Sequence, residues 1–168
     1  MRRLLGDDAL DHTVEVERDK WGVPWAVVDG NLIPLSVSHT DGWAVAAAHP
    51  RIRVGIDVER TSELPASFAR YFLSPNEVAA LGRWEDRPTS LLAGWTLKEA
   101  ALKALGWGLT VPPRTVLIRS IGSDGRAALT MAGEELGAGC WRDDGVVVAV
   151  ACAGVPKLPA LSISRGGS

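Results

Sequence analysis

The chain has 168 residues, 46% of them hydrophobic and 23% charged, with a formal net charge of −2. That suffices for one domain with its own core, or two small halves sharing one. It excludes a global basic field that would recruit nucleic acid or an anionic membrane, and no apolar run nears the ~20 residues of a bilayer span.

Met1 to Asp8 turns acidic after Leu4 and Leu5, which does not read as a secretory signal. Residues 1–11 read as the tail of a short helix. Thr13 to Glu17 alternates and predicts a strand. Lys20 to Pro24 is a turn, Trp25 to Val28 a strand, and Asp29-Gly30-Asn31 a hairpin turn. Leu35 to Ser38 is a further strand, and His39 to Gly42 turns the chain into Trp43 to Ala48. Arg53 to Glu59 is a strong strand, followed by a polar loop over 60–67 and a helical turn from Phe68 to Phe72. Ser74-Pro75-Asn76-Glu77 is a capping box with proline at the first helical position, predicting a helix to about Leu81.

The main helix is predicted from Thr89 to Leu105, capped by Thr89 or Ser90 and stopped at Gly106. Leu92, Trp95 and Leu102 form its apolar face, and Glu99 falls inside that face. As a lone pair Glu99 and Lys103 would be an ordinary ion pair, but a carboxylate on the face that should be buried argues for a functional role. Strands follow at Thr115 to Ile121, Arg126 to Met131 and Val146 to Ala153, with Cys140-Trp141 leading into an Arg142–Gly145 turn. Residues 155–168 read as a frayed tail. The whole is α+β, with antiparallel strands on either side of central helices. Cys140 and Cys152 lie in no C-x-x-C pair and no Cys/His cluster has zinc spacing, so a reduced, cytoplasmic chain is expected.

Three constellations carry chemical weight. In Gly55-Ile56-Asp57-Val58-Glu59 the carboxylates share one strand face, about 7 Å apart, and repel unless a cation lies between them. Taken alone, D-x-E is more readily an acidic solvent face, since surface acids are common. With Glu99 it makes three carboxylates, an oxygen donor set suited to Mg²⁺, and Lys98 and Lys103 would neutralise substrate phosphates. A Mg²⁺-dependent site for a pyrophosphate-bearing substrate is the outcome, with no Walker loop and no dinucleotide fingerprint. Ser38-His39-Thr40, at a strand end, suits either a phosphate or ordinary turn hydrogen bonds. Glu77 has a full structural explanation in the capping box and a functional one as general base. His12 and His49 read as surface residues without partners.

Gly55 to Glu59, followed by Trp95-Thr96-Leu97-Lys98-Glu99-Ala100-Ala101-Leu102-Lys103, resembles the paired signature of the 4′-phosphopantetheinyl transferase superfamily. Ser38-His39-Thr40 and Phe72-Leu73-Ser74-Pro75-Asn76-Glu77 are similar to further motifs of its surfactin-synthetase-activating branch, and Arg3 to Gly6 to the end of a helix there. The resemblance covers residues 2–153. It implies a fold of two pseudo-symmetric halves, here a shortened first half over 1–53 and a complete second half over 54–154, with 155–168 as tail.

The activity it implies is transfer of phosphopantetheine from coenzyme A to a serine of an acyl or peptidyl carrier protein, releasing 3′,5′-ADP. Polyketide or nonribosomal peptide synthesis is the setting this suggests. Asp57, Glu59 and Glu99 would hold Mg²⁺, or Mn²⁺ in its place. Lys103 would stabilise or protonate the departing phosphate. Lys98 and His39 would touch coenzyme A phosphates, and Ser38 the 3′-phosphate. Glu77, Glu99 or a polarised water would take the serine proton. Pro24 belongs to the Gly22-Val23-Pro24 turn that lies against coenzyme A in that branch, where Val23 replaces a basic residue. The shortened start lacks the branch's basic contacts, which leaves a compact variant, an excised synthase domain or a self-completing assembly. A non-catalytic coenzyme A or carrier-binding module of the same fold is the alternative. Carrier docking is expected at an exposed patch of Phe68, Phe72 and Trp84.

Overall fold

A computed structural model describes residues 14–20, 22–61, 65–82 and 87–159. The expectations for residues 1–11, for His12, for Trp84 and for 160–168 fall outside them.

The first half is a four-stranded antiparallel sheet in the order β1 (Val14–Arg18), β2 (Pro24–Val28), β3 (Asn31–Thr40), β4 (Trp43–Ala48). Asp29 and Gly30 join β2 to β3 with φ of 50° and 77°. Two positive φ values give the turn whose twist matches the flanking strands. Strand β3 is longer than the Leu35–Ser38 expected. It pairs with β2 through Pro34 and with β4 from Leu35 onward. The proline falls where the ladder changes partners, so its missing N–H does not end the strand.

The second half holds β5 (Val54–Arg60), α1 (Ala66–Phe72), α2 (Pro75–Leu81), α3 (Arg87–Ala104), β6 (Leu117–Ile121), β7 (Arg126–Met131), β8 (Glu134–Asp143) and β9 (Val146–Ala153). Its five-stranded antiparallel sheet runs β5-β9-β8-β7-β6. The chain is therefore α+β, as its element pattern implied. β8 was not legible as a strand, because Gly137, Ala138 and Gly139 dilute the signal. Gly137 is small for a packing reason: a Cβ there would come 2.2 Å from the carbonyl carbon of Lys157. The chain after β9 crosses β8 at this point, and Gly137 N–H donates to Val155 O at 2.5 Å. Residues 155–158 are thus a packed strap, which corrects the reading of a tail frayed from 155.

α3 begins at Arg87, and Thr89 and Ser90 are buried within its first turns instead of capping it. Its stop is as expected. Gly106, at φ 74°, donates to Lys103 O, and Trp107 N–H reaches Leu102 O, each at 3.0 Å. The one-sided apolar stripe is not observed. Leu91 to Gly94, Thr96 to Leu102, Ala104 and Leu105 are all buried. α3 lies between β5 and β9 on one side and α1 and α2 on the other. Small residues such as Ala93, Gly94, Ala100 and Ala101 let its neighbours close in all round.

The main core joins α3 to the sheet. A smaller one packs Ile56, Val58, Val146 and Val148 against Trp43, Val45 and Ala47 of β4. β5 is an edge strand of its own sheet, and β3 covers that edge: Ile56 N–H donates to Ser36 Oγ at 3.0 Å. The two halves therefore meet along the strand that carries Asp57.

Candidate active site

Gly55 brings β5 against α3. A Cβ at that position would lie 2.0 Å from Ala100 O and 2.4 Å from Ala104 N, so any side chain would push the helix away. Asp57 and Glu59 follow on the same strand face and therefore also point toward α3. Asp57 is 5% exposed. Its Oδ1 accepts from Ser38 Oγ and from Lys103 Nζ, both at 2.8 Å, and Lys103 Nζ also donates to Ile56 O at 3.1 Å. Lys103 therefore reaches across to β5, where its ion pair is with Asp57. Lys103 gains two acceptors on β5, the Asp57 carboxylate and the Ile56 carbonyl, in place of one on its own helix.

Two oxygens in this group, Asp57 Oδ2 and Glu99 Oε1, are buried without any hydrogen-bond partner. Such atoms are rare in folded proteins and costly. Burial pushes the Glu99 carboxyl up to about 7, the Asp57 and Glu59 charges add to that, and Lys103 opposes it. Glu59 is raised by burial and by Asp57, against a 3.2 Å hydrogen bond donated by Trp95 Nε1 and the Lys103 charge. The three acids thus act on one another as a crowded anionic group with a single ammonium. Among the described residues, no three His, Cys, Asp or Glu side chains are drawn into a finished cation cage. The orphaned oxygens nevertheless fit a hard divalent cation, which takes oxygen donors and relieves this repulsion.

Lys98 and Glu77 are a separate matter. Lys98 is fully buried and its Nζ donates to Glu77 Oε1 at 2.8 Å and to Val116 O at 2.6 Å. Glu77, 4% exposed, also accepts from Ile118 N–H at 2.9 Å and, through Oε2, from Ser74 N–H at 2.7 Å. The capping box is present in full. Burial raises the Glu77 carboxyl, but the hydrogen bonds from Ile118, Lys98 and Ser74 outweigh it and hold the group below its ordinary value. Burial lowers the Lys98 ammonium, and Glu77 opposes that. Two expectations are corrected by this arrangement. Lys98 does not face a phosphate-accessible surface, and Glu77 has no free oxygen with which to take a substrate proton. The cause is that Lys98 Nζ is held between Glu77 of α2 and the Val116 carbonyl just before β6.

Ser38 joins the acids through Asp57. His39 lies exposed on the opposite face of β3, in register with Ala44, and is not brought to them. Pro24 opens β2 opposite Arg18, while the N–H of the exposed Val23 is held by Asp19 Oδ1 at 2.9 Å. His49 is half-buried, and its Nδ1 accepts from Arg51 and Ile52 N–H at 3.1 and 3.0 Å, which corrects its reading as partnerless. Of the expected docking patch, Phe72 is 1% exposed and forms core, whereas Phe68 is on the surface. Phe68 and Phe72 both pack on Trp95, with ring centroids 5.6 and 5.2 Å apart. Sequence reading missed the roles of Trp95, Ser36 and Gly55. The signal for Trp95 was present, since an indole in a buried motif needs an acceptor for its N–H.

Asp57, Glu59, Glu99 and Lys103 thus gather where β5 meets the buried helix α3. The profile of the 4′-phosphopantetheinyl transferase superfamily matches residues 53–151. The chain belongs to that superfamily. It is 35% identical over 99 residues to the 4′-phosphopantetheinyl transferase gsp of Aneurinibacillus migulanus, covering 56% of this chain and 39% of that protein. Identity to the 4′-phosphopantetheinyl transferase Sfp of Bacillus subtilis is 28% over 99 residues, covering 58% and 43%. The match thus spans well under half of either relative. Among solved structures, the holo-[acyl-carrier-protein] synthase of Thermotoga maritima aligns at a TM-score of 0.50 and 27% identity, covering 61% of this chain and 63% of that one. The Helicobacter pylori synthase, solved with coenzyme A, aligns at 0.50 and 24%, covering 60% and 98%, and shares the fold.

Proposed function

We propose that the protein transfers the 4′-phosphopantetheine group of coenzyme A to a serine of an acyl or peptidyl carrier protein. The carrying observation is the pair of buried, partnerless oxygens, Asp57 Oδ2 and Glu99 Oε1, beside the Lys103 ammonium. The serine oxygen attacks the pantetheine-side phosphorus. The bond from that phosphorus to the bridging oxygen breaks, and 3′,5′-ADP leaves. Asp57, Glu59 and Glu99 would hold Mg²⁺, or Mn²⁺, which supplies charge neutralisation at the pyrophosphate. Lys103, the one ammonium hydrogen-bonded into the acid group, faces the departing phosphate. Glu99, a carboxylate beside the reacting phosphate in this arrangement, is the favoured acceptor of the serine proton. Ser38 orients Asp57 as well as bordering the 3′-phosphate, and His39 is assigned to a coenzyme A phosphate at the exposed end of β3.

Residues 1–154 act as one unit in this reading, 1–53 and 54–154 being its halves. The burial of Cys140 and Cys152 away from solvent accords with a reducing, cytoplasmic setting. No helix among the described residues is long and apolar enough to cross a membrane. The carrier docks on α1, where Phe68 and Tyr71 are exposed beside a groove of about 520 Å³ flanked by Arg70 and Arg114. Mass spectrometry of an apo carrier incubated with coenzyme A, Mg²⁺ and the protein tests the reading. A gain of one phosphopantetheine is expected. No gain, with coenzyme A still bound in calorimetry, would favour the non-catalytic binding module instead.

A further inference from the structure

We infer that Glu77 and Lys98 form a positioning clamp that fixes the rotation of α3 and thereby aims Glu99 at β5. The inference rests on the proposed role of Glu99 as a cation ligand. Lys98 ties α3 to the N-terminal turn of α2 through Glu77, and to the entry of β6 through Val116 O. Glu77 closes the same triangle by accepting from Ser74 and Ile118 N–H. Three segments therefore converge on one buried ion pair whose hydrogen bonds are all directional. Two apolar residues of the same size would stabilise the fold as well or better, because a buried pair gives up much hydration. What they would not supply is a defined rotation. Consecutive helical residues are about 100° apart, so a pin at Lys98 sets the direction of Glu99. On its other side α3 is held by the close contact of Gly55 with Ala100 and Ala104. Glu99 lies between these two fixed points and has no hydrogen bond through Oε1 to steady it. Its orientation must come from the helix that carries it.

The test uses the neutral pair Glu77→Gln with Lys98→Met, in which glutamine keeps the capping geometry. Mn²⁺ is the probe, titrated by electron paramagnetic resonance without coenzyme A, alongside thermal melting and steady-state kinetics. A folded double variant should bind Mn²⁺ at least about tenfold more weakly than wild type, the loss typical when a ligand's supporting group is removed. In transfer assays kcat should fall while KM for coenzyme A changes by less than about twofold, because uniform substrate binding is untouched. Unchanged Mn²⁺ affinity in the folded variant overturns the clamp. A KM raised about tenfold or more with Mn²⁺ affinity intact also overturns it, and returns Lys98 to phosphate binding. Should the double variant not fold, Glu77→Gln alone decides, with weaker Mn²⁺ binding expected and unchanged binding counting against the clamp. Wild type that binds Mn²⁺ but transfers nothing would fail the proposed function alone, leaving the clamp to be judged on the Mn²⁺ ratio.

Discussion

Lys98 and Glu99 are neighbours in the chain and both are buried, yet they belong to opposite kinds of site. Around Lys98 the hydrogen-bonding needs are met: Glu77 accepts on both oxygens and Val116 supplies a carbonyl. Around Glu99 they are not, and two carboxylate oxygens stay unpartnered while three acids share one hydrogen-bonded lysine. A satisfied buried network holds structure in place. An unsatisfied one stores repulsion that a ligand can relieve. Burial alone therefore does not distinguish the two charges, and the state of their partners does.

The largest test of this contrast is on the unsatisfied side. Asp57→Ala or Glu99→Ala should lower carrier modification by at least ~1,000-fold, measured by mass spectrometry, since positioned charge is the main source of catalysis in phosphoryl transfer. Near-wild-type transfer by either variant would erase the distinction between the two sites.

On the satisfied side, Lys98→Met should cost about 3–5 kcal/mol in urea denaturation, because it leaves Glu77 as a buried charge without its counterion. Equal stability would mean that Glu77 had found water, and that its network is not closed.

Glu99→Gln should move the other way. The folded carboxyl titrates near 7 against an ordinary 4.5. Because the folded value is raised, the folded state holds an extra proton between those limits, and stability falls as pH rises through that window. At pH 8, without divalent cation, the variant should be more stable than wild type by up to about 3 kcal/mol, with no difference near pH 4. Denaturation at the two pH values reads this directly, and a destabilised variant at pH 8 would mean that Glu99 is not repelled where it sits.

Gly55→Ala should cost about 1–3 kcal/mol by wedging α3 from β5. Its thermal shift tests whether that contact frames the acid group. The smallest effect is expected outside both sites. Tyr71→Ala, at a residue 76% exposed, should leave stability within about 0.5 kcal/mol while raising KM for the carrier a few-fold. An unchanged KM would remove α1 from the docking surface.

Much of this molecule could be read from the chain. The capping box at Ser74–Glu77 and the stop at Gly106 are local hydrogen-bond chemistry, encoded within four or five residues. The alternation of β5 put Asp57 and Glu59 on one face, and the family signature joined them to Glu99. Other features were hidden because their causes lie far away in sequence. Pro34 concealed the length of β3, since only the exchange of β2 for β4 makes a proline harmless there. The glycines of β8 concealed a strand, since the strap that needs their small size arrives twenty residues later.

The acids themselves show the division most sharply. Residue type and helical spacing determined that Lys98, Glu99 and Lys103 stand on one helix with two carboxylates on a strand nearby. Which of them would be neutralised was decided only by packing. A lysine side chain is long enough to reach partners on either of two neighbouring elements. Lys98 turned to Glu77 because the start of β6 offered a carbonyl beside it, and Lys103 turned to Asp57 because Gly55 let α3 approach β5. Glu99 was left over, and its want of a partner is a property of the assembled fold.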